Sequence, residues 1–166
     1  NDNVWLTATG PGDGQLLKFT RDGTFLLQIG AIGKSQGSND TENLNSSTGL
    51  TVHVPTNELF VSDGYGNHRV IVFDADTGAY KRHWGGYGKR PDDSIPFRYD
   101  PNRPFEQFSV VHGIGVSNDG LVYACDRNGS RVQVFNLDGT FVMEKLIEPQ
   151  TMNGTVFGIA FSADPE

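Results

Sequence analysis

Two short runs, "RVIVF" (69–73) and "RVQVF" (131–135), set apolar side chains at every second position, most of them β-branched. A period of two carried by branched residues predicts strands lying on a pleated surface. The links between such runs are turn chemistry. "RDGT" (21–24), "ADTG" (75–78) and "LDGT" (137–140) each put Asp-Gly or a late Gly where positive φ is needed. No stretch of useful length shows the 3.6-residue period of an amphipathic helix.

The runs belong to longer phrases that repeat. "LTVHVPTNELFVSDGYGNHRVIVFDADTGAYKRHWG" (50–85) matches "IGVSNDGLVYACDRNGSRVQVFNLDGTFVMEKL" (114–146), and Phe19, Phe73 and Phe135 hold one shared place. In the clearest copy the four strands are expected at 113–117 (inner), 121–126 (second), 131–136 (third) and 141–146 (outer). Repeated four-stranded antiparallel sheets around an axis predict an all-β propeller. The blades are expected as 3–30, lacking its inner strand, then 49–85 and 112–147, with 156–162 as the inner strand of a further blade. Two insertions rich in Gly, Pro, Asn and Asp, 31–48 and 86–108, lengthen the repeat beyond the usual roughly 40–50 residues. About three blade equivalents make half of a six-bladed ring. A second copy in a two-fold homodimer, or further sequence of a longer chain, would complete it.

Composition narrows the function classes. A net charge of −7, with Lys and Arg scattered, argues against a nucleic-acid partner. No apolar run is long enough for a membrane span. The single cysteine, Cys125, excludes an intrachain disulfide and, in its apolar strand pattern, reads as a small buried side chain. The chain opens on Asn1 rather than Met, so either processing removed something or the sequence is cut from a longer one. The compartment stays open, with a secreted or periplasmic soluble setting compatible. Four N-x-Ser/Thr sequons, at Asn39, Asn45, Asn128 and Asn153, carry meaning only in a secretory eukaryote. "GAIGKS" (30–35) is not a phosphate loop, because Gln28 stands where the motif requires Gly.

"HGIGVSNDGLVYACDRNGSRVQVF" resembles the NHL-repeat propellers, bacterial NHL proteins among them. More narrowly, "LFVSDGYGNHRVIVF", "QFSVVHGIGV", "YACDRNGSRVQVF" and "NGTVFGIAF" are similar, in that order, to the peptidyl-α-hydroxyglycine α-amidating lyases. That resemblance implies a six-bladed ring with an axial zinc held by three histidines from alternate blades. Matched residue by residue, it implies Tyr65 as a proton-transferring phenol, Arg127 as an electrostatic cation and His112 as one zinc ligand. The other two histidines of the pattern fall outside this sequence, and a zinc site of this kind needs three protein ligands. A two-fold ring would set its two His112 residues three blades apart, whereas the family's ligands stand two blades apart.

Two functions are therefore expected to compete. One is a binding scaffold that presents a channel mouth to a peptide, small ligand or protein; the other is a fragment of a zinc-dependent lyase-like enzyme. Arg69 and Arg131 recur one residue ahead of the third strand and are expected to pair with Asp63 and Asp126. His53, His68 and His83 lie away from the axis and are expected to be solvated. Insertion 86–108, with Trp84 just before it and Tyr87, Phe97, Tyr99, Phe105 and Phe108 along it, either covers one mouth or packs on the blade edges.

Overall fold

The computed structural model describes residues 2–103, 105–151 and 154–162. These form eleven strands in three antiparallel sheets, with two single 3₁₀ turns and no α-helix among them. The first sheet runs β1 (Val4–Thr7), β2 (Gln15–Phe19) and β3 (Phe25–Gly30). The second runs β4 (Gly49–His53), β5 (Glu58–Asp63), β6 (Arg69–Asp74) and β7 (Tyr80–Trp84). The third runs β8 (Val111–Val116), β9 (Leu121–Asp126), β10 (Arg131–Asn136) and β11 (Phe141–Leu146). Each sheet is a meander of neighbouring strands, and the three are successive blades of a β-propeller.

The period-two pattern decides which blade each side chain meets. In the middle blade Leu59, Val61, Ile71 and Phe73 join Leu16, Ile29 and Leu44 in one core against the first blade. Phe60, Val70, Val72 and Trp84 join Phe108, Val111, Val122 and Phe135 in a second core against the third blade. Every residue of β5 is consequently buried. Adjacent residues of one strand thus feed opposite interfaces, as the pleat requires.

Arg69 and Arg131 are fully buried beside Asp63 and Asp126 at 2.9 and 3.0 Å. Both guanidiniums also reach into the insertions. Arg69 donates to the carbonyls of Ser38, Asp40 and Asn43, and Arg131 to the carbonyl of Gln107. Backbone N–H groups of Asn45, Ser109 and Val110 donate to the two carboxylates. Burial pushes both carboxyls up from the usual range, and the guanidiniums pull against it.

Insertion 86–108 packs on the third blade. The Tyr87 ring lies 5.0 Å from that of Phe141, its hydroxyl donates to Glu144, and burial raises the phenol to about 12. Tyr99 donates to the carbonyl of Pro149, and Phe97 stacks edge-on against Phe105 at 5.3 Å. The two insertions also touch, through Ser38 N–H on the Asp93 carboxylate and the Asn39 amide on the Pro91 carbonyl.

Residues 156–162, expected as an inner strand, lie beside β8 but join no ladder among the described residues. The sequon at Asn153 falls outside the described residues. Cys125 is buried, and burial raises its thiol to about 11.

Candidate binding site at the channel mouth

The turns between second and third strands, residues 64–68 and 127–130, lie at the same end of their blades as the start of β8. Gly64 allows the first turn to seat there, since a Cβ at this position would fall 2.0 Å from the Val111 carbonyl oxygen. Val111 pairs with Asp126 and Gly113 with Cys125, leaving His112 as an extra residue in β8. Such a bulge re-aims its side chain out of the strand alternation. In this chain the re-aimed imidazole reaches the first turn.

Tyr65, His112 and Arg127 meet. His112 Nε2 stands 3.1 Å from the Tyr65 hydroxyl, and Arg127 Nη1 donates to the same oxygen at 3.2 Å. The other imidazole nitrogen, Nδ1, lies 2.6 Å from the Phe157 carbonyl. A carbonyl only accepts, so Nδ1 carries a hydrogen, and in the neutral ring Nε2 accepts the Tyr65 O–H. One directional chain therefore runs from the Arg127 guanidinium through the phenol to the imidazole and on to a backbone oxygen. The Arg127 guanidinium lies over the rings of Tyr65 and Phe157 at 5.5 and 5.3 Å. Asn128 accepts from Arg127 Nε at 3.1 Å and fixes the fork's orientation. The site is open to solvent, with Tyr65 43% and Phe157 54% exposed.

Phe157 and Asn128 join the site without being among the site residues that the sequence predicts. Phe157 was legible: it precedes Gly158 as His112 precedes Gly113, so the repeat puts it at the same end of the next unit. The histidines expected to be solvated are instead half-buried and bonded. His68 meets the Ser109 carbonyl at 2.9 Å. His83 meets the Tyr80 hydroxyl at 2.9 Å, and burial, with the charges of Arg69 and Arg90, lowers its pKa. His53 bonds Thr56 at 2.8 Å, where β4 ends.

A zinc ion is implied only by the family resemblance. The Nδ1–H of His112 is held by the Phe157 carbonyl, as the free N–H of a metal-binding imidazole commonly is. Among the described residues, however, no three His, Cys, Asp or Glu side chains converge. Those residues do not by themselves fit zinc. Among the described residues no helix is long and apolar enough to cross a membrane.

The NHL-repeat family model matches residues 44–73 and 108–135. The rat (Rattus norvegicus) peptidylglycine alpha-amidating monooxygenase is 30% identical over 165 residues, covering 96% of this chain and 15% of the relative. Human (Homo sapiens) NHL repeat-containing protein 3 is 26% identical over 140 residues, covering 82% of this chain and 36% of that protein. A chain of a nidogen/laminin complex superposes with a TM-score of 0.60 at 15% identity, over 95% of this chain and 46% of that one. Fold and repeats together define the class, and the chain is an NHL-repeat β-propeller. It spans 12% to 15% of the length of the amidating monooxygenases it matches.

Proposed function

We propose that this chain is a binding scaffold whose mouth takes a carboxylate-bearing peptide or small molecule at Tyr65, His112 and Arg127. The observation that carries this reading is the meeting of three polar side chains from two blades in one solvent-open, hydrogen-bonded chain. Among the described residues Arg127 Nη2 donates to no protein group, so part of a planar fork faces outward. A carboxylate suits that fork, and the Tyr65 and Phe157 rings beside it suit an apolar residue next to the carboxylate.

Calorimetric titration with a short apolar peptide ending in glycine, and with its C-terminal amide, tests the reading. The acid is expected to bind and the amide to bind far more weakly. Arg127→Ala should weaken the acid by about 10- to 100-fold, the scale of a lost hydrogen bond to a charged group. Equal binding of acid and amide, or an unaffected Arg127→Ala protein, would overturn it.

A second reading rests on the amidating-monooxygenase similarity and on the match of these three residues to the lyase pattern. It makes the chain a fragment of a zinc-dependent lyase-like enzyme acting on α-hydroxyglycine peptides. The two readings part over metal. Stoichiometric zinc in the purified protein, lost in His112→Ala, would favour the lyase; zinc-free protein after incubation with zinc would leave the scaffold.

A further inference from the structure

Strand β1 has one ladder neighbour among the described residues, whereas its counterparts β5 and β9 each lie between two strands. Register identifies the corresponding positions. Val4 stands opposite Phe19 as Leu59 stands opposite Phe73 and Val122 opposite Phe135. By the same register Leu6 corresponds to Val61 and Ala124, and Thr7 to Ser62 and Cys125. In the complete sheets Leu59, Val61, Val122 and Ala124 are all 0% exposed, while Val4 is 43% and Leu6 51% exposed. The Thr7 hydroxyl is buried, with no hydrogen-bond partner among the described residues. Its counterpart in Ser62 meets the carbonyl of Gly49, on the inner strand, at 3.1 Å. Among the described residues the first blade thus has no inner strand, and it shows both an apolar surface and an unbonded hydroxyl along that edge.

A strand of that kind exists in the same sequence. Residues 156–161 read "VFGIAF" beside "VHGIGV" of β8, and Gly113 and Gly49 stand opposite Cys125 and Ser62. Residues 157–161 already lie against β8 much as β8 lies against β4. A Cβ on Gly113 would fall 2.7 Å from Gly158 Cα, and one on Gly49 would fall 3.3 Å from the His112 carbonyl. Phe161 packs edge-on against Tyr123 at 5.1 Å. Yet among the described residues nothing lies within 4 Å of where a Gly158 Cβ would point, and Phe157 and Phe161 stay 54% and 43% exposed. The segment occupies the inner-strand place of a next blade, and among the described residues no second strand pairs with it.

We propose that a second copy of this chain supplies that strand: β1 of each copy pairs antiparallel with residues 156–161 of the other, Gly158 opposite Thr7. The Thr7 hydroxyl then bonds the Gly158 carbonyl as Ser62 bonds Gly49. Val4 and Leu6 face the third blade of the second copy, as Leu59 and Val61 face the first blade. A single chain cannot make the exchange with itself, because β4 and β8 stand between its own β1 and residues 156–161. Two chains related by a two-fold axis close a ring of twice three blades with no free inner edge.

Light scattering after gel filtration tests this on the 166-residue chain, with twice 18.1 kDa as the expected mass. Gly158→Val has room within one chain, but in the exchanged ladder its side chain would meet Thr7 as a Cβ on Gly49 would meet Ser62 Oγ, at 3.1 Å. It should run at the single-chain mass with an unchanged circular dichroism spectrum. Leu6→Asp, a substitution at an exposed position, should do the same. Paired Thr7→Cys and Gly158→Cys substitutions should yield a disulfide-linked dimer on oxidation. A wild-type mass of 18.1 kDa at the highest soluble concentration would overturn the proposal. So would a dimer that survives both Gly158→Val and Leu6→Asp. The peptide titration repeated on Gly158→Val separates this outcome from the fate of the mouth.

Discussion

Glu58 shows how much one side chain can hold. Its buried carboxylate takes a two-pronged grip from Arg82 at 2.7 and 2.8 Å, with Lys81 at 2.9 Å and the Thr56 hydroxyl at 3.0 Å. Arg82 also donates to the Leu137 carbonyl, so this one carboxylate secures the seam between the second and third blades. The Arg82 bonds, opposed by burial and helped by Lys81, hold the carboxyl at about 2. A carboxyl lowered on folding stabilises the native state fully above its unfolded value, near 4.3, and loses that contribution as pH falls toward 2. Urea unfolding between pH 7 and 2 should therefore show Glu58→Gln less stable by about 3 kcal/mol at neutral pH, with the difference closing across that acid window. Nothing in the local sequence announced this residue, since its partners come from the far side of a sheet and their spacing carries no pattern.

At the scale of elements, the Asp–Arg pairs join strand to loop. Each guanidinium is spent partly on a carboxylate and partly on insertion carbonyls. Arg131→Met leaves Asp126 buried without its cation and should cost about 3–5 kcal/mol, read as a loss in urea midpoint. Limited proteolysis should then cut within 86–108, because Tyr87 and Gln107 lose the donor they share. Asp126→Leu combined with Arg131→Met should recover part of the midpoint, since no lone charge remains. Recurrence made the pairs legible from sequence. The carbonyls they capture were not, because a backbone acceptor has no residue signature. In the first sheet Gln15 holds the equivalent place, and among the described residues no such clamp forms there.

For the whole molecule, strand positions could be read closely because alternation and turn chemistry agree; the inner strand expected at 113–117 is found at 111–116. The mouth was legible only in part. Tyr65, His112 and Arg127 lie far apart in the chain, and residue resemblance rather than spacing suggested them. The bulge that turns His112 toward Tyr65 could not be seen, because one extra residue in a strand looks like any other. Half-buried histidines escaped for a related reason: the insertions that cover His68 and His83 have no period from which their path could be drawn.

The guanidinium roots of the two insertions carry a consequence for how such a protein can change over time. A loop fastened at its base by a buried cation passes no slack or strain into the sheet beneath it. Its tip can be lengthened, shortened or rewritten while blade geometry stays fixed. New recognition properties can then be acquired at the rim by changing residues 94–98 alone, leaving untouched the foundations that Arg69 and Arg131 pin and the Asp93 contact between the insertions.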